Sequence, residues 1–200
     1  MRPGTGPAAR YAIDALGVCA PARFVPSPNA DARPEGAQCE LIVLHNISLP
    51  PGVFSGDAVE RFFTNRLDVA AHPFFEQIAN LRVSAHFFLR RDGELVQFVE
   101  CERRAWHAGA STWWGRERCN DFSIGIEIEG SDDLAYAGPQ YQALARLLRA
   151  LVRRYPIRGI AGHEHIAPVR KTDPGPSFDW VGLRRAARLP RSLFAGTPAA

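Results

Sequence analysis

Leu41-Ile42-Val43-Leu44-His45-Asn46-Ile47 is the stretch on which the fold turns. Four consecutive apolar residues fit a strand covered on both faces, because a half-exposed strand would alternate polar with apolar. His45 and Asn46 then fall where a central strand runs out, the edge at which sheets flanked by helices place chemistry. A second strand is written differently. In Phe122-Ser123-Ile124-Gly125-Ile126-Glu127-Ile128-Glu129-Gly130 the alternation is strict. Phe122, Ile124, Ile126 and Ile128 face one way, while Ser123, Gly125, Glu127 and Glu129 face the other. A sheet that turns small residues and then carboxylates to one side is suited to floor a cleft.

The segments around these strands read as further strands and helices of a single domain, with no linker dividing it. Gly138-Pro139 opens the clearest helix, with proline near its first turn. Tyr141, Leu144, Leu148, Leu151 and Tyr155 recur at steps of three and four, and Leu147 and Val152 widen the stripe. Pro156 ends it, and residues 157–161 read as a short strand. Residues 55–63 begin like a capped helix. Residues 65–80 have no clean period and read as a long loop with a helical turn. Arg91-Asp92-Gly93 is a hairpin signal between strands at residues 83–90 and 94–99. Residues 104–118, with Trp106, Trp113 and Trp114, read as a surface loop, and residues 178–187 as a last short helix. The folded core is expected to span residues 23–188, between an irregular extension at 1–22 and a loose tail at 189–200.

The totals narrow the function. A chain of 200 residues, 46% hydrophobic and 22% charged, suits one soluble domain with a full-sized core. A net charge of +3 with scattered arginines argues against nucleic acid. No apolar run approaches the ~20 residues of a membrane span, and residues 11–22, interrupted by Asp14, make a poor secretory segment. Cys19, Cys39, Cys101 and Cys119 form no CxxC pair and read as packed, reduced thiols. A cytoplasmic location is the expectation. There is no P-loop, no Gly-rich dinucleotide turn and no G-x-S-x-G elbow. His72 and His86 read as structural. Cys119 near His107 resembles a thiol pair, but a buried structural cysteine is the simpler reading.

Chemistry concentrates in Gly162-His163-Glu164-His165-Ile166-Ala167-Pro168-Val169-Arg170-Lys171-Thr172-Asp173-Pro174-Gly175-Pro176. Three prolines argue against any regular element there. Lys171 is the one lysine among 24 Lys+Arg residues, and lysine offers a compact point charge that arginine cannot imitate. A zinc site needs three or four converging N, S or O ligands, and His45, His163 and Asp173 are the candidates. Each has a plainer reading: His45 as a satisfied core residue, Asp173 as a turn residue bonded to its own backbone. Together they gain weight, since a strand end and a strand exit can meet at one sheet edge. His163-Glu164-His165 is not the helical HExxH motif, because position 167 is alanine and Pro168 follows. Glu127, on the open face of its strand, is the candidate general acid/base; the alternative is that Glu127 and Glu129 form the solvated face of an edge strand.

These residues sit in a series of motifs that resembles the zinc-dependent N-acetylmuramoyl-L-alanine amidases, type 2. The motifs are Val25-Pro26-Ser27-Pro28-Asn29, Val43 to Gly52, Ala71-His72-Pro73-Phe74-Phe75, Leu81-Arg82-Val83-Ser84-Ala85-His86, Arg104-Ala105-Trp106-His107-Ala108-Gly109, Gly115 to Asp121, Ser123 to Gly130 and Arg170 to Pro176. They span about residues 24–181. The resemblance implies an α/β (α+β) single-domain fold shared with peptidoglycan-recognition proteins, a mixed central sheet flanked by helices, with helices against one face and a zinc-bearing groove on the other. It implies one Zn2+ held by His45, His163 and Asp173, with Glu127 as the catalytic carboxylate and Lys171 stabilising the transition state. Positions matching Asn46, Arg82, Trp106 and Arg118 bind substrate in the family. The implied substrate is a small muropeptide, cut between 1,6-anhydro-N-acetylmuramic acid and L-alanine during cytoplasmic peptidoglycan recycling, with no obligate protein partner. A muropeptide-binding protein without catalysis and an amidase of the intact wall are the rival readings. His165 stands where family members often carry aspartate.

Overall fold

The apolar run at residues 41–47 is a strand whose first four side chains are wholly buried. It is an interior strand of the main sheet in a computed structural model that describes residues 11–198. In chain order the strands are β1 (Ala12–Ile13), β2 (Cys19–Ala20), β3 (Arg23–Phe24), β4 (Ala30–Ala32), β5 (Leu41–Ile47), β6 (Phe87–Leu89), β7 (Leu95–Gln97), β8 (Arg103–Ala105), β9 (Thr112–Trp113), β10 (Arg116–Glu117), β11 (Ser123–Glu129) and β12 (Gly159–Gly162). The helices are α1 (Ala58–Phe63), α2 (Pro73–Ile78), α3 (Gly138–Arg154), α4 (His163–Ile166) and α5 (Trp180–Ala187).

Six strands make one mixed sheet in the order β12-β5-β11-β6-β7-β3. β12, β5, β11 and β6 run parallel, and β7 returns antiparallel to β6 across the expected Asp92-Gly93 turn. Alternation decides the faces. Ile42, Leu44, Ile124, Ile126, Ile128 and Ile160 point to one side, where α3 and α5 lie on them. The α3 stripe is the predicted one: Leu144, Leu147, Leu148 and Leu151 are all buried, each stabilising the fold by about 1.5–3 kcal/mol. Gln140 fastens the helix start to the sheet by donating to the carbonyls of Leu89 and Glu129.

The opposite face is not free of helices, contrary to the expectation of a one-sided arrangement. β6 and β7 turn Phe88 and Val96 outward, and α1 and α2 cover them with Phe62, Phe63 and Phe75. At the other end of this face Leu41, Val43 and Ala161 are covered by Ala108, Trp113, Phe122 and Ile166. Between the two apolar patches lies the groove, and its floor is His45 with His107 and Glu127.

Two sequence expectations change at the ends. Residues 11–22 are a small hairpin of β1 and β2, not an irregular extension, with Tyr11 and Cys19 buried in the α3 core. Gly17 closes its turn at φ +82°, where a Cβ would stand 2.6 Å from the Cys101 nitrogen. The tail at 189–198 anchors through Phe194, which is fully buried in the same core. Residues 1–10 and 199–200 lie outside the described residues. All four cysteines are buried free thiols, and no helix among the described residues is long and apolar enough to cross a membrane.

Candidate active site

The site is assembled by register. β11 pairs in parallel with β5 so that Glu127 lies opposite His45. β12 pairs with the other edge of β5, Gly162 opposite Leu44, and the chain turns at once into α4, delivering His163 beside His45. The stretch after Gly162 is therefore not all loop; it begins with one helical turn and then coils back. Glu164 N–H donates to the Asp173 carbonyl at 2.9 Å, which brings the Asp173 carboxylate over the two rings. His165 accepts the Gly162 N–H at 2.9 Å and packs its ring on Trp180. It takes no part in the cluster of His45, His163 and Asp173.

His45 Nδ1, His163 Nδ1 and Asp173 Oδ2 form a triangle with edges of 2.9, 3.1 and 3.2 Å. Ligands bonded to one tetrahedral ion at ~2 Å stand roughly 3.3 Å apart, so the triangle is of the right size. Two imidazoles and one carboxylate are also the donor chemistry of a catalytic metal site with an open position. These three residues could hold a metal ion. Each distal ring nitrogen is engaged elsewhere: His163 Nε2 lies 3.1 Å from the Ala108 carbonyl, and His45 Nε2 lies 2.9 Å from His107 Nδ1. Burial holds His45 at a pKa of about 4, so at neutral pH its ring is uncharged and able to donate a lone pair. For Asp173 burial acts upward, but hydrogen bonds with His163 and His45 prevail and hold the carboxyl well below the usual range.

A cavity of about 420 Å³ opens in front of this triangle, lined also by Glu127, Lys171, Asn46 and His107. Its far wall is apolar, with Leu49, Phe62, Phe74, Ile78 and Leu81. Glu127 is not a solvated edge residue. It is buried, and its Oε2 has no hydrogen-bond partner among the described residues. Burial first, then the Asp173 carboxylate, push its carboxyl well above the usual carboxylate range, while Lys171 pulls the other way. Asn46 is held by Asp132 at 2.7 Å and by the Pro174 carbonyl. Arg82, Trp106 and Arg118 are not among the lining residues. Arg82 sits on the rim between Leu81 and Val83 and donates to the carbonyls of Ala79 and Leu81. Trp106 is half-buried beside His107. Arg118, exposed and paired with Asp121, lines a neighbouring pocket of about 650 Å³ with Arg170.

Sequence reasoning missed His107 and Asp132. His107 lies 62 positions from His45, and nothing in its spacing links the two. The clue was Gly125, whose missing side chain leaves the ring its place: a Cβ there would lie 2.4 Å from His107 Cγ. Beneath it His86 accepts the Gly125 N–H at 3.0 Å, and burial lowers its pKa to about 3. That has a consequence for stability. A histidine depressed in the folded state from 6.5 takes up its proton first in the unfolded chain, so stability present above pH ~6.5 is lost as pH falls towards 3. By pH 5, His86 alone should remove about 2 kcal/mol. The metal-free protein is expected to melt at lower temperature at pH 5 than at pH 7, and His86→Asn, which keeps the acceptor, should flatten that dependence. An unchanged slope in the variant would contradict the assignment.

With this geometry the comparisons agree. The family model described as N-acetylmuramoyl-L-alanine amidase matches residues 35–176. The 1,6-anhydro-N-acetylmuramyl-L-alanine amidase AmpD of Citrobacter freundii is 58% identical over 170 residues, covering 84% of this chain and 91% of its own. AmpD of Escherichia coli (strain K12) is 59% identical over 165 residues, covering 82% and 90%. A crystal structure of a selenomethionine AmpD derivative superposes with a TM-score of 0.84 at 58% identity, over 86% of this chain and 97% of that one. The convergent triangle, the buried carboxylate beside it and these likenesses place the chain in one family: it belongs to the N-acetylmuramoyl-L-alanine amidases.

Proposed function

We propose that this chain hydrolyses the amide joining the lactyl carbonyl of 1,6-anhydro-N-acetylmuramic acid to L-alanine of muropeptides, with one Zn2+ held by His45, His163 and Asp173. The observation that carries the reading is the unpartnered Oε2 of Glu127 in the same cavity as that donor triangle. The relatives at 58% and 59% identity bear the name of this activity. A zinc ion bound there supplies Lewis acidity at the scissile carbonyl and activates water. Glu127 takes a proton from the attacking water and delivers it to the departing amine, leaving a carboxylic acid and a free stem peptide. Lys171 Nζ faces the negative charge that gathers on the carbonyl oxygen, where a fixed cation contributes ~3 kcal/mol. Asn46 positions substrate at the floor. Arg82 and Arg118 take stem-peptide carboxylates by bidentate pairing, and Trp106 offers an apolar face. The role assigned is muropeptide recycling in the cytoplasm.

Mass spectrometry of products tests this. Anhydromuropeptide should yield free stem peptide, the yield should vanish with a chelator, and added zinc should restore it. Tight binding without turnover in the zinc-loaded protein would favour a binding module instead. Efficient digestion of intact sacculi would favour a wall amidase.

A further inference from the structure

We propose that His107 is a positioning residue that fixes the tautomer of His45, through a proton-ordered chain running from the metal triangle to Ser123. This rests on the metal reading above. His45 Nε2 and His107 Nδ1 are 2.9 Å apart, and His107 Nε2 is 3.1 Å from Ser123 Oγ. Two neutral imidazoles at such a distance share one hydrogen, and its side decides the site. With the hydrogen on His45 Nε2, His45 donates to His107, the Nδ1 lone pair of His45 faces His163 and Asp173, and His107 in turn donates to Ser123. With the hydrogen on His107 Nδ1, the His45 proton moves to Nδ1 and occupies the triangle. Only the first arrangement leaves three donors free to converge.

The surroundings of the His107 ring hold it in place between His45 and Ser123. Gly125 leaves no side chain where the ring lies, and any Cβ would approach its Cγ, Nδ1 and Cδ2 to 2.4–2.7 Å. The ring of His86 stands edge-on at 5.8 Å, itself fixed by the Gly125 N–H. Arg33 Nη2 donates to the Ser123 carbonyl at 2.8 Å, anchoring the strand residue that receives the chain. The groove face of β11 thus divides its work: Ser123 ends the relay, Gly125 makes room for it, and Glu127 stands in the cavity. His163 achieves the same end with a backbone carbonyl; for His45 the partner is a side chain that substitution can remove.

The test measures zinc binding and proton position, not turnover. In the zinc-loaded wild type, long-range 15N–1H spectra should show His45 protonated at Nε2 and His107 unprotonated at Nδ1; the reverse pattern would overturn the proposal. Chelator competition should show His107→Leu binding zinc 10–100-fold more weakly, with His107→Asn, whose amide oxygen replaces the Nδ1 acceptor, recovering most of the loss. Gly125→Ala should weaken zinc similarly by displacing the ring. Equal affinities for wild type and the Leu variant, or no difference between Leu and Asn, would refute it. A wild type that takes up no zinc would sink the metal reading itself, and this inference with it.

Discussion

Glu127→Gln is expected to lower kcat on anhydromuropeptide by ~10²–10⁴, the range a positioned general acid/base supplies. Zinc content should stay near one equivalent and KM should change little. Glutamine keeps the shape and volume of the side chain, so the fold at β11 is preserved. What it removes is a group able to accept a proton. The wild-type carboxylate is suited to that role because it is buried beside the triangle with one oxygen unbonded, so a water placed before it meets a base that nothing else has satisfied. Lys171→Ala should cost about 10²-fold through the oxyanion, and Lys171→Arg should recover only part, since a planar fork cannot reproduce a point charge. Steady-state kinetics with metal analysis on the same samples separates these effects. A Gln variant as fast as wild type would remove Glu127 from the mechanism.

Much of the groove floor was legible because strands write their faces in alternate letters. Ser123, Gly125 and Glu127 could be assigned to one side from the isoleucines between them, and the end of an apolar run exposed His45. The α3 stripe was equally plain, since seven apolar residues at helical steps leave one solution. The hairpin at 11–22 was hidden because strands of two residues have no period to detect. Helices α1 and α2 were partly hidden for the same reason: six residues give under two turns. The outward Phe88 and Val96 that demand their cover become visible only when β6 and β7 are paired. His107 illustrates the deeper limit. Its position depends on an absent side chain at Gly125, and absence has many meanings in a sequence until the fold says what fills the space.

His163→Ala should abolish zinc uptake, whereas His165→Ala should leave it close to wild type, although the two residues lie two positions apart on one turn. The short helix α4 separates them. Residues two apart on a helix do not share a face, so when His163 Nδ1 is directed at His45 and Asp173, His165 is turned back towards the strand it follows. There its Nδ1 accepts the Gly162 N–H, one of the orphan donors at a helix start, and its ring meets Trp180. Losing it should therefore lower stability by about 1–3 kcal/mol, the cost of leaving a buried donor unsatisfied, with zinc affinity nearly unchanged. Losing His163 instead removes a direct donor, a heavier loss than the 10–100-fold typical of supporting residues. Chelator competition and thermal melts on both variants give opposite patterns under this assignment. Zinc lost as completely from His165→Ala as from His163→Ala would mean that the triangle has the wrong third corner.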